Sequence, residues 1–422
     1  MAGETVAALR ITLQGQLVGY LAGYSNGKNV FSLAPEYIEN AARHPLTLSH
    51  TNAEAFARQL ADKHPYTTNQ KLHPVLSNLL PEGALRDMLS QAMKVHRDNE
   101  FPLLSWLGRD LPGALIAEPM DAAEIPGFAL LHHGKIEPVV IDVPDVRPHF
   151  SLAGVQMKFS MRNKDGRYIM DDQDASGDWI IKTPSTVHPF VPLNEYTAMT
   201  LAALAGVDIP EIKLIDMDDI EALPNINLPN EQFAYGIRRF DRLPENQRVH
   251  AEDFAQIFFA HAHDKYRVAS YDQIGKLIYQ NSLHGQRDAV QMSVRLLVHV
   301  LLGNGDAHLK NWSMIYRDGR HAELSPAYDI VTTKAYIAGE SHYALNMAKT
   351  KDWQEVSFEH FKKWAEYGDI PWSAVLYNLR EVMNKARALW PQALANSPMT
   401  EDQQEILRAH WKLLHDDFRI EA

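Results

Sequence analysis

In the stretch Gly303-Asn-Gly-Asp306-Ala-His-Leu-Lys-Asn311 an aspartate is followed five residues later by an asparagine, and Asp329 arrives in Ser325-Pro-Ala-Tyr-Asp329-Ile330. Phosphoryl transfer asks little covalent chemistry of a protein. It needs a carboxylate to orient the attacking hydroxyl, and oxygen ligands that hold magnesium against the phosphates of ATP. Asp306 is the candidate for the first task, Asn311 and Asp329 for the second. The spacing alone is short, and Asn304-Gly305 also marks an ordinary turn. Its surroundings therefore decide its meaning.

The apolar run over residues 294–302 predicts a buried helix that stops at Gly303. After the loop, residues 312–316 predict a short strand and residues 317–320 a hairpin turn. Upstream, Trp179-Ile-Ile-Lys182-Thr-Pro184 predicts a strand with one lysine among apolar neighbours, ended by proline. A lysine there can reach the α- and β-phosphates. Residues 195–205 predict a helix with Asn194 as its cap and Gly206 as its stop. Glu195 opens that helix and is the natural partner for Lys182, the pairing by which kinases place their lysine. Singly, Lys182 fits a solubility residue on an edge strand, and Glu195 a first-turn carboxylate favoured by the helix dipole. The order strand lysine, helix glutamate, loop Asp/Asn and then Asp is the specific signal.

A fourth piece is Ser151-Leu-Ala153-Gly154-Val155-Gln156-Met157-Lys158, ahead of Gly166 and Arg167-Tyr-Ile-Met170. It predicts two strands with a small-residue loop on the first, where backbone N–H groups could approach phosphate oxygens. An ordinary hairpin fits one glycine equally well.

These segments, with Arg239-Phe240-Asp241-Arg242, Gly305-Asp306-Ala-His308-Leu-Lys310-Asn311 and Pro326-Ala-Tyr328-Asp329, together resemble the HipA family of bacterial serine/threonine kinase toxins. Asn78-Leu-Leu-Pro-Glu82 with Arg86, and Gly108-Arg-Asp110 with Gly113, are similar to that family's N-terminal region. The likeness covers most of the chain, and no motif specific enough to use appears beyond about Asp352.

The resemblance implies an α+β, protein-kinase-like two-lobed fold with a β-rich N-terminal subdomain and a mainly helical C-terminal lobe. It implies Asp306 as catalytic base, Asn311 and Asp329 as magnesium ligands, and Lys182, partnered by Glu195, on the ATP phosphates. Ala153, Gly154, Val155, Gln156, Met157 and Lys158 would form the phosphate loop. His308, Lys310 and Tyr328 would line the nucleotide site, and Arg238, Arg239 and Phe240 the hinge beside adenine. The family usually shows an acidic residue where this chain has Arg238; a backbone contact survives that change and a side-chain contact does not. Ser151 would be an autophosphorylation site, since phosphate adds nearly two negative charges beside a site built for a triphosphate. The implied partners are a small helix-turn-helix antitoxin (HipB-like), DNA only through it, and a protein substrate, in the best-known members an aminoacyl-tRNA synthetase. Two other functions use the same parts: a small-molecule kinase, or a kinase-shaped co-repressor.

The chain has 422 residues, no cysteine and a formal charge of −12. Disulfides, thiolate metal sites and cysteine nucleophiles are excluded. The net charge argues against gripping DNA directly, although Arg295, Lys310, Arg317 and Arg320 lie near the active loop in sequence. The 20 histidines lack helical zinc-motif spacing. No run approaches a membrane span and no signal pattern opens the chain, so a cytoplasmic protein without membrane contact is expected. The expected organisation is an N-terminal subdomain over 1–148, a phosphate-loop, lysine and hinge region over 149–242, and a helical part over 243–422. Alternation over residues 6–32 predicts a small sheet. Helices are expected near 53–62, 75–98, 103–107, 251–263, 271–283, 286–302, 356–367, 372–390 and 400–418.

Overall fold

The computed structural model describes the chain except residues 1–3, 7, 25, 122–123, 131–140, 144–156, 165, 170–176, 222, 224–226 and 422. The fold is mixed α+β, β-rich in its N-terminal region and mainly helical in its C-terminal part. Two compact units divide the chain. The first comprises Met1–Ile180, Asp241–Ala262 and Ile315–His321; the second comprises Ile181–Phe240, His263–Met314 and Ala322–Ala422.

The first unit is built on an antiparallel five-stranded sheet, in the order Tyr66–Asn69, Lys28–Leu33, Gln16–Gly23, Ala8–Leu13, Leu115–Met120. Gln14 and Gly15 both take positive φ, 49° and 79°, which suits the two-residue turn joining Leu13 to Gln16. Leu9, Ile11 and Leu13 are buried. A Cβ on Gly19 would come within 2.1 Å of the Ser32 carbonyl oxygen, so only glycine lets these strands pack this closely.

Two expected helices differ. Residues 75–98 form two pieces, Pro74–Ser77 and Gly83–Ala92. Pro81 lies between them and cannot continue the first, and Gly83 opens the second at φ 59°. Residues 251–263 contain the strand His250–Asp253 and the single turn Phe254–Ile257. A capping box of Asp253 and Gln256 starts that turn, and Phe259 at φ 52° follows it.

Several family-like motifs of this unit bond one another. Arg242 donates to Asp110 Oδ1 at 3.0 Å, Asp241 Oδ2 at 2.9 Å and the Gly113 carbonyl at 2.8 Å. Gly113 N–H donates to Asp241 Oδ2 at 2.7 Å. Arg86 pairs with buried Glu100 at 2.7 Å, and Asn78 donates to the Ala260 carbonyl at 2.7 Å. Truncating one member of such a buried charged network removes a charge-assisted bond from each residue it touches.

In the second unit, Ile212–Asp216 pairs antiparallel with Phe233–Arg238, from Ile212↔Ile237 to Asp216↔Phe233. The helix Val191–Ala205 packs against this pair, and Gly285–Leu302 and Trp372–Ala395 form the helical core with it. Gly285–Leu302 is almost wholly buried along its last three turns and ends at Gly303, whose φ of 60° makes the left-handed cap.

Candidate active site

Lys182 ends the strand Trp179–Lys182 and is buried, at 4% exposure. Its ammonium forms ion pairs with both Glu195 and Asp329, and lies 5.5 Å from the centre of the Tyr235 ring. Burial works against the charge on Lys182, but the carboxylates of Asp329 and Glu195 outweigh it and raise its pKa. The strand lysine, the helix glutamate and the second aspartate thus meet at one buried ammonium.

Asp329 sits at φ 55°, left-handed backbone that aspartate tolerates better than most residues and that still costs about 1 kcal/mol. Such conformations gather where surrounding structure overdetermines a functional residue. Here Tyr328 donates to the Lys310 carbonyl at 3.0 Å and contacts Ser313 Oγ at 2.5 Å. Asn194 bonds both backbone groups of Thr332. Asn194 is therefore not a helix cap: the helix begins a turn earlier, at Val191, and Asn194 is fully buried inside it.

The loop after Gly303 is held at nearly every peptide. Asp306 N–H donates to Asn304 Oδ1 at 2.9 Å, Gly305 N–H to Thr333 Oγ1 at 2.7 Å, and Asn311 Nδ2 to the Asp306 carbonyl at 2.8 Å. The Ala307 carbonyl accepts from Tyr271 at 2.8 Å and from Trp312 Nε1 at 3.1 Å. Asp306 itself keeps a side chain 48% exposed, with His308 Nε2 3.9 Å away. Its carboxylate Oδ1 accepts from the Tyr266 hydroxyl at 2.5 Å.

Asn311 spends its amide nitrogen on Asp306, which fixes the amide's orientation and leaves Oδ1 as the available ligand atom. With the Asp329 carboxylate it supplies the hard oxygen donors that magnesium takes, so these residues fit that ion.

Of the other expected site residues, Phe240 and Tyr328 are neighbours, with ring centres 5.8 Å apart. Arg239, His308 and Lys310 are buried. Arg238 is exposed and its guanidinium faces Glu211 at 3.4 Å, while its N–H donates to the Glu211 carbonyl at 2.8 Å. Met157 and Lys158 belong to the first unit, where Lys158 opens the strand Lys158–Lys164. Ser151, Ala153, Gly154, Val155 and Gln156 lie outside the described residues. Arg295 is buried and donates to the Ser325 carbonyl at 2.6 Å; burial lowers its pKa to about 10. Arg317 and Arg320 belong to the first unit, and Arg320 donates to the Ala42 carbonyl at 3.2 Å.

Sequence reasoning missed Tyr266, Thr333 and Tyr235. Each reaches the cluster from a distance in sequence that no local pattern reports.

Among the described residues no helix is long and apolar enough to cross a membrane. The family described as HipA-like C-terminal domain matches residues 150–390, and the HipA N-terminal domain matches residues 9–118. The candidate kinase Y4dM of Sinorhizobium fredii is 36% identical over 408 residues, covering 96% of each chain. The serine/threonine-protein kinase toxin HipA of Shewanella oneidensis is 24% identical over 386 residues, covering 82% of each. A solved complex of Shewanella oneidensis HipA and HipB with operator DNA contains a chain similar to this one, with a TM-score of 0.68 at 20% identity. The match covers 96% of this chain and 95% of that one. With more than half of its length inside one HipA domain family, and a further relative at 36% identity end to end, this chain belongs to the HipA kinase family.

Proposed function

We propose that this protein is an ATP-dependent kinase that phosphorylates a serine or threonine of another protein, as the toxin of a toxin–antitoxin pair. The observation that carries the reading is the buried Lys182 held by Glu195 and Asp329 at once. A lysine–glutamate pair beside a metal-binding aspartate is the arrangement on which kinase phosphoryl transfer depends.

In this reading the acceptor hydroxyl oxygen attacks the γ-phosphorus, the bond to the bridging oxygen of ADP breaks, and Asp306 takes the hydroxyl proton. Lys182 binds the α- and β-phosphates and is oriented by Glu195. Asn311 and Asp329 would hold magnesium, which would neutralise charge on the phosphates. By the family resemblance, Ala153, Gly154, Val155, Gln156, Met157 and Lys158 are proposed as ATP-contacting residues. The 238–240 segment, His308, Lys310 and Tyr328 line the nucleotide. The 238–240 segment is the proposed hinge beside adenine, with the Arg238 guanidinium and its N–H both paired to Glu211.

The family, and the solved HipA–HipB–DNA complex, favour a helix-turn-helix antitoxin as partner and DNA contact only through it. An aminoacyl-tRNA synthetase is the proposed target class, the cytoplasm the proposed compartment, and Ser151 the proposed self-silencing phosphosite.

The test is the intact mass of wild type and Asp306→Asn after incubation with magnesium-ATP, followed by peptide mapping. Phosphate gained by the wild type alone, at Ser151, is the expected result. Equal ATP consumption by both proteins would overturn the assignment of Asp306.

A further inference from the structure

Asp306 is fixed at its backbone by Asn304 and Asn311, yet its carboxylate is half exposed. Among the described residues, Tyr266 is the single side chain that hydrogen-bonds that carboxylate. Its hydroxyl donates to Oδ1 at 2.5 Å. The Tyr266 ring stands edge-on to the buried His308 ring, with centres 5.1 Å apart and planes at 83°. That contact aims the phenol without using its hydroxyl. The carboxylate is thus gripped by one oxygen, and Oδ2 is the atom left for an incoming hydroxyl.

We infer that Tyr266 is a positioning residue for phosphoryl transfer, clamping one oxygen of Asp306 so that the other meets the acceptor hydroxyl. This rests on the reading of Asp306 as the acceptor-activating carboxylate. The physical need is clear. A half-exposed aspartate samples several rotamers, and a base a fraction of an ångström out of place loses much of its effect. A base held by a third group is the general pattern of activated acceptors and nucleophiles. The phenol needs no proton transfer of its own; it donates throughout, and the acceptor's proton goes to Asp306.

Tyr266→Phe isolates the contact, because it removes the hydroxyl and keeps the ring on His308. Both partners are open to solvent, so water replaces the lost bond and folding stability should not move. The experiment measures ADP release from magnesium-ATP by wild type, Tyr266→Phe and Asp306→Asn, with and without myelin basic protein as acceptor. ATP affinity by calorimetry and melting temperature accompany it. The expected result for Tyr266→Phe is a fall in kcat of about tenfold, with KM for ATP, ATP affinity and melting temperature unchanged.

Unchanged turnover in Tyr266→Phe, beside an inactive Asp306→Asn, would overturn the inference and leave the functional reading standing. Raised turnover would overturn it too, since the phenol would then be an obstacle at the acceptor position. A fall in kcat together with the melting temperature would assign Tyr266 a structural role instead. Full activity of Asp306→Asn, or no ADP release by the wild type, would remove the functional reading and the inference with it.

Discussion

Asn194 grips the peptide of Thr332 from both sides: its Oδ1 accepts from the Thr332 N–H at 2.8 Å and its Nδ2 donates to the Thr332 carbonyl at 3.3 Å. This buried amide ties the helix carrying Glu195 to the segment carrying Asp329. The two carboxylates that flank Lys182 are thereby spaced by a pair of hydrogen bonds between residues 138 apart in sequence.

Asn194→Ala should therefore do more than lower stability. Two buried backbone groups lose their partner, at about 2–3 kcal/mol, read from urea unfolding. Nucleotide affinity should fall as well, because Asp329 loses its anchor. A variant that unfolds at lower urea yet binds ATP normally would show that the tie is not needed for the site.

Lys182→Met removes the ammonium that Glu195 and Asp329 share. Breaking a buried ion pair from one side costs about 3–5 kcal/mol. Lys182→Met combined with Glu195→Gln should cost clearly less than the two single changes added together, since both changes act on the same ion pair. Strict additivity in urea unfolding would contradict the coupling.

Asp329→Asn keeps a side chain that tolerates φ 55° and removes the charge. Magnesium should then lose its influence on nucleotide affinity. Calorimetry with and without the ion checks this, and a preserved magnesium response would exclude Asp329 as a ligand.

Stability should carry a pH signature from Glu252 in the first unit. Burial, only partly offset by a hydrogen bond from Tyr316, raises its carboxyl from 4.5 to about 7. The folded state therefore holds a proton that the unfolded chain releases near 4.5. The stabilisation is fully present below that pH and is lost as pH rises through about 7, amounting to roughly 3 kcal/mol. Buried His50, His73 and His299 act in the opposite sense, since burial lowers each to about 3 and their stabilisation is lost as pH falls below 6.5. Comparing urea midpoints of wild type and Glu252→Gln from pH 5 to 8 cancels the histidines. The wild type should lose ground relative to the variant toward pH 8; parallel curves would refute the assignment.

Features set by neighbouring residues were legible in the sequence. The helix ending at Gly303, the loop from Asp306 to Asn311 and the strand Ser313–Tyr316 after it all depend on periodicity, capping and turn chemistry that act over a few residues. The spacing of Asp306 and Asn311 is itself local, because the asparagine amide bonds the aspartate's own carbonyl. Local patterns failed where tertiary packing overrode them. Asn194 has the composition of a cap, yet the helix starts at Val191 with Pro192 in its first turn, and Asn194 lies buried in a long-range bond to Thr332.

The sequence by itself determined which candidate groups for phosphoryl transfer this protein has, and in what chain order they come. Only the tertiary structure decided which of them touch. Lys182 and Asp329 are 147 residues apart and Tyr266 and Asp306 are 40 apart. No short-range propensity links either pair. They meet because buried helices and strands pack in one arrangement, and that packing is a property of the whole core.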